Sequence, residues 1–129
     1  MSKTVWIVDD SSLIRKIVET VLTREGYHYR GFEDGIKMME ALREEAPYQP
    51  DLLILDVNLP KMNGFEVARR LRMKPAYRYM LIFFMSKTGG LFPHTLGKLV
   101  FAVEYIDKPF ERERFIELVE KHIGKGEPR

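Results

Sequence analysis

Val5-Trp6-Ile7-Val8-Asp9-Asp10-Ser11-Ser12-Leu13 is the stretch that decides the architecture. Four apolar residues in succession end on two adjacent carboxylates, and a helical pattern starts directly after them. Leu13, Ile14, Ile17, Val18, Val21 and Leu22 recur at helical spacing until Gly26 stops the run. A second apolar run, Leu52-Leu53-Ile54-Leu55, ends on Asp56, and a third closes on Lys108, followed by Pro109 and Phe110. Open α/β sheets bind ligands outside the carboxyl ends of their strands. Three acids and one cation at such ends are therefore the parts of a site for a divalent cation and a phosphoryl group.

Outward from that stretch, strand and helix patterns alternate five times, which predicts βα units and a parallel sheet. Strands are expected at residues 4–8, 28–32, 52–55, 80–85 and 103–106. The first, third and fourth are almost wholly apolar, as buried parallel strands are. The second carries His28 and Arg30 and suits an edge. Ile36, Met39 and Leu42 mark a second helix with Asp34 as its cap. Phe65, Ala68 and Leu71 mark a third, capped by Asn63. A fourth is expected to begin at Pro93 after Gly89-Gly90 and to use Leu96, Leu99 and Val100. Phe115, Leu118, Val119, His122 and Ile123 mark the last. Residues 1–124 then form one domain, and 125–129 read as a frayed tail or the start of a linker.

With 129 residues, 45% apolar and 31% charged, the chain has the makeup of one soluble globular domain. Its longest apolar runs fall far short of the roughly 20 residues of a membrane helix. Met1-Ser2-Lys3 leads into the first strand without a signal-peptide pattern. The absence of cysteine excludes disulfides and thiolate metal sites and fits a reducing, cytoplasmic setting. A net charge of +2, with basic and acidic residues interspersed, gives no nucleic-acid footprint. The seven methionines read as core filler. His28, His94 and His122 do not cluster, and none reads as a ligand.

Each site residue has a plainer reading. Asp9-Asp10 could merely cap the first helix, Asp56 could be a turn residue, and Lys108 a surface lysine. Adjacent carboxylates repel, however, unless a cation neutralises them. The loop Asp56-Val57-Asn58-Leu59-Pro60 leaves the Asn58 carbonyl available as a hard oxygen ligand of the kind Mg²⁺ takes. Ser86 at the fourth strand end can donate to a phosphoryl oxygen, and Lys108 can pair with a carboxylate or with that oxygen.

Together these residues closely resemble a response-regulator receiver domain over about residues 4–123. Ser86 and Lys108 follow Asp56 by 30 and 52 positions. Val8-Asp9-Asp10, the Asp56–Pro60–Gly64 loop and Lys108-Pro109-Phe110 complete the likeness. It implies a flavodoxin-like, doubly wound (βα)5 fold with strand order 2-1-3-4-5. It also implies that Asp56 is the phosphoacceptor and that Asp9, Asp10, Asp56 and Asn58 hold Mg²⁺ (or Mn²⁺). Ser86, Lys108 and Tyr105 would be the phosphoryl-binding and switch residues; for Tyr105 a static half-buried strand aromatic is the plainer reading. The donor would be a histidine kinase or phosphotransfer protein. The signal would pass to a protein target through the face of the fourth helix, fifth strand and fifth helix, with the chain a monomer or an activation-dependent dimer. Such a domain is no enzyme beyond its own phosphorylation and dephosphorylation, and makes no contact with nucleic acid or membrane. The Lys108–Pro109 bond is expected to be cis.

Two departures stand out. Lys87 occupies a position that is usually small, and with Asn58 and Thr88 it is a candidate to modulate decay of the phosphoryl group. Phe101-Ala102 stands where a Gly-Ala pair is common. Ser86-Lys87-Thr88-Gly89 with Leu91-Phe92 is similar to receivers of type IV pilus twitching-motility and phototaxis systems; a glycine-rich loop with no message is the plainer reading. The weighed alternatives are an aspartyl-phosphate phosphatase and a flavodoxin-like carrier. The first would want an acid where Asn58 stands, and the second a phosphate loop where Asp9-Asp10 would repel its ligand.

Overall fold

The computed structural model describes residues 2–87 and 94–128, His94 by its backbone alone. Five parallel strands, β1 (Thr4–Val8), β2 (His28–Phe32), β3 (Leu52–Asp56), β4 (Ile82–Lys87) and β5 (Glu104–Lys108), lie in the order β2-β1-β3-β4-β5. Helices α1 (Ser12–Arg24), α2 (Gly35–Glu44), α3 (Gly64–Arg72), α4 (His94–Leu99) and α5 (Arg112–Ile123) connect and follow them, with a 3-10 turn at Pro75–Tyr77. The order is the one the resemblance implied, and β2 is an edge as its polar residues foretold.

Strand alternation splits the interior into two cores. Val5, Ile7, Leu52, Ile54, Phe83 and Met85 face α1 and α5. Trp6, Val8, Leu53, Leu55, Ile82 and Phe84 face α2 and α3. β3 is buried at every position because it has strands on both sides and helices on both faces. Each large side chain so enclosed contributes about 1.5–3 kcal/mol. On the edge, Arg30 lies over the rings of Trp6 and Phe32 at 5.1 and 5.0 Å, so a cation shields aromatic surface that no strand covers.

Asp34 and Asn63 cap α2 and α3 through bonds to the amides of Lys37 and Glu66, as expected. Several boundaries differ. β4 starts two residues later than predicted and runs to Lys87, and β5 runs on to Lys108, because the parallel ladder continues through Ser86↔Asp107 and Lys87↔Lys108. Leu13, Ile17, Ile36 and Leu99 face outward rather than into the core. The buried side of α2 is Met38, Ala41 and Leu42. Met73 is exposed, not core filler. Pro93, Thr88 and Gly89-Gly90 lie outside the described residues.

Arg72 is a tie that the sequence did not announce. Its guanidinium donates to the carbonyls of Val100 (2.8 Å), Tyr77 (2.9 Å), Arg78 (3.0 Å) and Phe101 (3.3 Å). It thereby joins the connection before β4 to the connection before β5. In residues 125–128 the Glu127 amide donates to the Gly26 carbonyl at 3.0 Å.

Tyr27 donates to the Gly124 carbonyl at 2.5 Å and Tyr29 to the Arg15 carbonyl at 2.9 Å. Burial, reinforced by Glu120 and Glu25 for Tyr27 and by Glu19 for Tyr29, pushes both phenols up to about 12. A folded-state value above the unfolded one, about 10, gives stability that is complete below that value and is lost as pH rises towards 12. Alkaline titration by phenolate absorbance is expected to show these two ionising last, with stability to urea falling over the same interval. Ionisation of all six tyrosines near the ordinary value would contradict this packing.

Candidate functional site

β1 delivers its last residues to the centre of the sheet's carboxyl edge. The Asp9 amide extends the ladder by donating to the Phe32 carbonyl at 3.0 Å, which draws the residue into full burial. One Asp9 oxygen accepts the Ser11 amide at 2.9 Å, and Ser11 Oγ in turn accepts the Ile14 amide. The cap of α1 is thus Ser11, and the capping explanation of the Asp9-Asp10 pair fails. Arg15, one turn into the helix, donates to the Asp9 carbonyl at 2.5 Å. Asp10 remains exposed.

β3 ends on Asp56, buried, with Oδ1 accepting the Asn58 amide at 2.9 Å. The chain then turns back so closely that a Cβ at Gly64 would lie 2.5 Å from the Asp56 carbonyl oxygen, which only glycine allows. From β5, Lys108 Nζ donates to Asp9 Oδ2 at 2.6 Å and to Asp56 Oδ2 at 3.0 Å. The following Lys108–Pro109 bond is cis.

Two buried carboxylates on one ammonium set the electrostatics. Burial pushes the Asp56 carboxyl above its ordinary range, and Asp9 adds to that, while the Asn58 amide and Lys108 oppose it. Burial works against the charge on Lys108, but hydrogen bonds to Asp9 and Asp56 prevail and its ammonium is held above the usual lysine value. The pocket is short of positive charge by one or two units. Oxygens of Asp9, Asp10 and Asp56 lie within 4.8 Å of one another, a hard-oxygen set suited to a small divalent cation.

These groups open onto a cavity of about 580 Å³ that Asn58 and Lys87 also line, with Ile14 and Pro109 as its apolar wall. Asp9, Asp10, Asp56, Asn58, Lys87 and Lys108 are therefore brought together as the spacing suggested. Ser86 and Tyr105 stand beside this group on the neighbouring strands. Ser86 is buried, and its hydroxyl donates to Tyr105 Oη at 3.1 Å. Thr88 is not among the described residues. His122 is no ligand: it pairs with Glu104 at 2.7 Å. Ser11 and Arg15 were missed from the sequence, since nothing in helical periodicity reveals which polar side chain turns back onto the preceding strand.

With this geometry established, the family model for the response regulator receiver domain matches residues 5–120. Among curated proteins, PilG of Pseudomonas aeruginosa is 27% identical over 96% of this chain and 90% of its own length. CreB of Escherichia coli is 33% identical over 84% of this chain, which spans only 45% of that transcriptional regulatory protein. Among solved structures, chemotaxis protein CheY4 of Vibrio cholerae is 31% identical with a TM-score of 0.82, covering 95% of this chain and 99% of CheY4. The receiver domain of sensor histidine kinase PA1611, solved with magnesium coordinated in its active-site cleft, shares the fold at 22% identity and a TM-score of 0.81. This chain belongs to the response regulator receiver domain family.

Proposed function

We propose that Asp56 accepts a phosphoryl group from a phosphohistidine on a kinase or phosphotransfer protein. The observation that carries this is one carboxylate held between the Lys108 ammonium and the Asp9–Asp10 pair, at the floor of an open cavity. A carboxylate oxygen of Asp56 forms the new O–P bond as the P–N bond of the donor imidazole breaks. Lys108 is placed to neutralise charge that develops on the phosphoryl oxygens. Phosphoryl transfer is mostly positioning and charge compensation, and both are built here. Asp10, Asp56 and the Asn58 carbonyl, with Asp9 directly or through water, would hold Mg²⁺ or Mn²⁺, which supplies the missing positive charge. Ser86 can leave Tyr105 for a phosphoryl oxygen, so that the ring can shift and alter the surface of α4, β5 and α5 for a target protein. The same residues can return the phosphoryl group to water, and no other turnover is assigned. Cytoplasmic location belongs to this reading.

Incubation with acetyl phosphate or beryllofluoride and Mg²⁺ tests it. One acid-stable, base-labile adduct at Asp56 is expected. Steady release of phosphate without an adduct would favour a phosphatase, and absence of both a flavodoxin-like carrier. Neither rival has support at the site: Asn58 has no proton to give a leaving group, and the two acids that follow β1 repel free phosphate. Lys87 lines the cavity while its side chain reaches solvent. Its cation can screen the adduct from water, as Asn58 and Thr88 can also influence. Lys87→Ala is expected to shorten the adduct's lifetime severalfold; an unchanged decay removes Lys87 from the mechanism.

A further inference from the structure

The opposite edge of the sheet, where β4 and β5 begin, carries a second surface. Tyr79 and Phe101 are exposed by 88 and 73%, and Met73 and Leu99 by 69% each. Single exposed apolar residues need no explanation, but two that share a cleft do. Tyr79 and Phe101 border a cleft of about 390 Å³ whose other walls are Arg72, Arg78 and Met80. Among the described residues no carboxylate lines it. Arg69 lies against Met73 at 3.5 Å, and Glu66 is engaged by Arg69 and Arg70 at 2.6 and 3.3 Å.

The sequence has the same asymmetry. Between Glu66 and Glu104 there is no Asp or Glu, while seven Lys and Arg fall in that interval. All 19 acids of the chain lie at or outside those limits. Two of those seven, Arg72 and Arg78, line the cleft, while Lys87 lies at the other margin of the sheet.

Phe101 supplies an independent sign. It follows α4 after Val100 with φ of 59°, while its amide donates to the Lys98 carbonyl and that of Ala102 to the Gly97 carbonyl. Glycine is the usual occupant of such a helix terminus, and a Cβ there costs about 1–2 kcal/mol. The ring recovers little of that by burial. Phe101 thus holds a bulky side chain in a left-handed conformation with no burial to offset it.

We infer that this basal cleft docks an acidic segment of a partner protein, one bearing an apolar side chain flanked by carboxylates. The apolar group enters between Tyr79 and Phe101, and the carboxylates meet Arg78 and its neighbours, where guanidinium groups suit bidentate pairing. A concave site with few cations around an apolar centre fits such a segment better than a nucleic-acid backbone, which needs a track of phosphate contacts, or a flat anionic membrane.

The test is selection of a random displayed peptide library on the full, unphosphorylated chain, independent of the Asp56 chemistry. Recovered peptides are expected to be rich in Asp and Glu around an apolar or aromatic residue. Arg78→Glu and Phe101→Gly should each weaken a synthetic recovered peptide by roughly tenfold or more. Phe101→Gly should at the same time raise the thermal midpoint, which separates lost contact from lost fold. Recovered peptides without acidic enrichment, or undiminished binding by both variants, overturn the proposal. So does displacement of the peptide by phosphatidylglycerol vesicles or a DNA duplex that these substitutions also release. Self-association abolished by Phe101→Gly would instead assign the cleft to a second copy, and equally overturn it.

Discussion

Asp56→Asn is expected to reduce phosphoryl uptake to background, whether the donor is acetyl phosphate or a phosphohistidine protein. An amide offers no anionic oxygen to attack phosphorus, and Asp9 is held by the Ser11 amide and Lys108. The same substitution is expected to raise the thermal midpoint. Burial, with Asp9 nearby, holds the Asp56 carboxyl above its ordinary range. A raised folded-state value means that the stability linked to this group is complete below the unfolded value and declines as pH rises through the folded one. At neutral pH the charge costs stability, and asparagine removes it while keeping an oxygen for the Asn58 amide. Loss of function with gain in melting temperature separates an acceptor from a structural residue. Label uptake by Asp56→Asn at the parental rate would refute the assignment.

Lys108→Ala is expected to act in the opposite direction on stability. It leaves Asp9 and Asp56, both nearly inaccessible, facing each other without the ammonium that bonds to both. Removing one partner of a buried ion pair costs about 3–5 kcal/mol, because the remaining charge keeps its desolvation penalty. Urea unfolding should show a loss of that order in the presence of a chelator. Added Mg²⁺ should restore part of it by binding the folded state alone. In an Asp56→Asn background the loss should shrink, since one of the two charges is gone, and that non-additivity is the signature of contact. Uptake of phosphoryl should fall on the order of a hundredfold or more, the usual effect of losing one charge-stabilising donor. Equal losses in both backgrounds would show that Lys108 merely packs.

The strands and acids were legible because interior parallel strands tolerate almost no polar residue. Asp9, Asp56 and Lys108 therefore stood out as interruptions at strand ends, and Ser86 gained meaning only in their company. Helix faces were harder. In α1, six apolar residues cover more than one side, and periodicity alone did not say that Leu13 and Ile17 face out. The extent of β4 and β5 depends on ladder bonds between them, and neither segment reveals this alone. Arg72 read as one more surface cation. Its role exists only because folding brings it the carbonyls of Val100 and Phe101, 28 and 29 residues away.

That guanidinium has a mechanical consequence. By stapling the approaches to β4 and β5 at one margin, it resists their separation there. At the other margin the same two strands are secured by side chains, the Ser86–Tyr105 bond and Lys108 on Asp9 and Asp56. One strand pair is thus fastened by backbone carbonyls on an arginine at one end and by hydroxyls and carboxylates at the other.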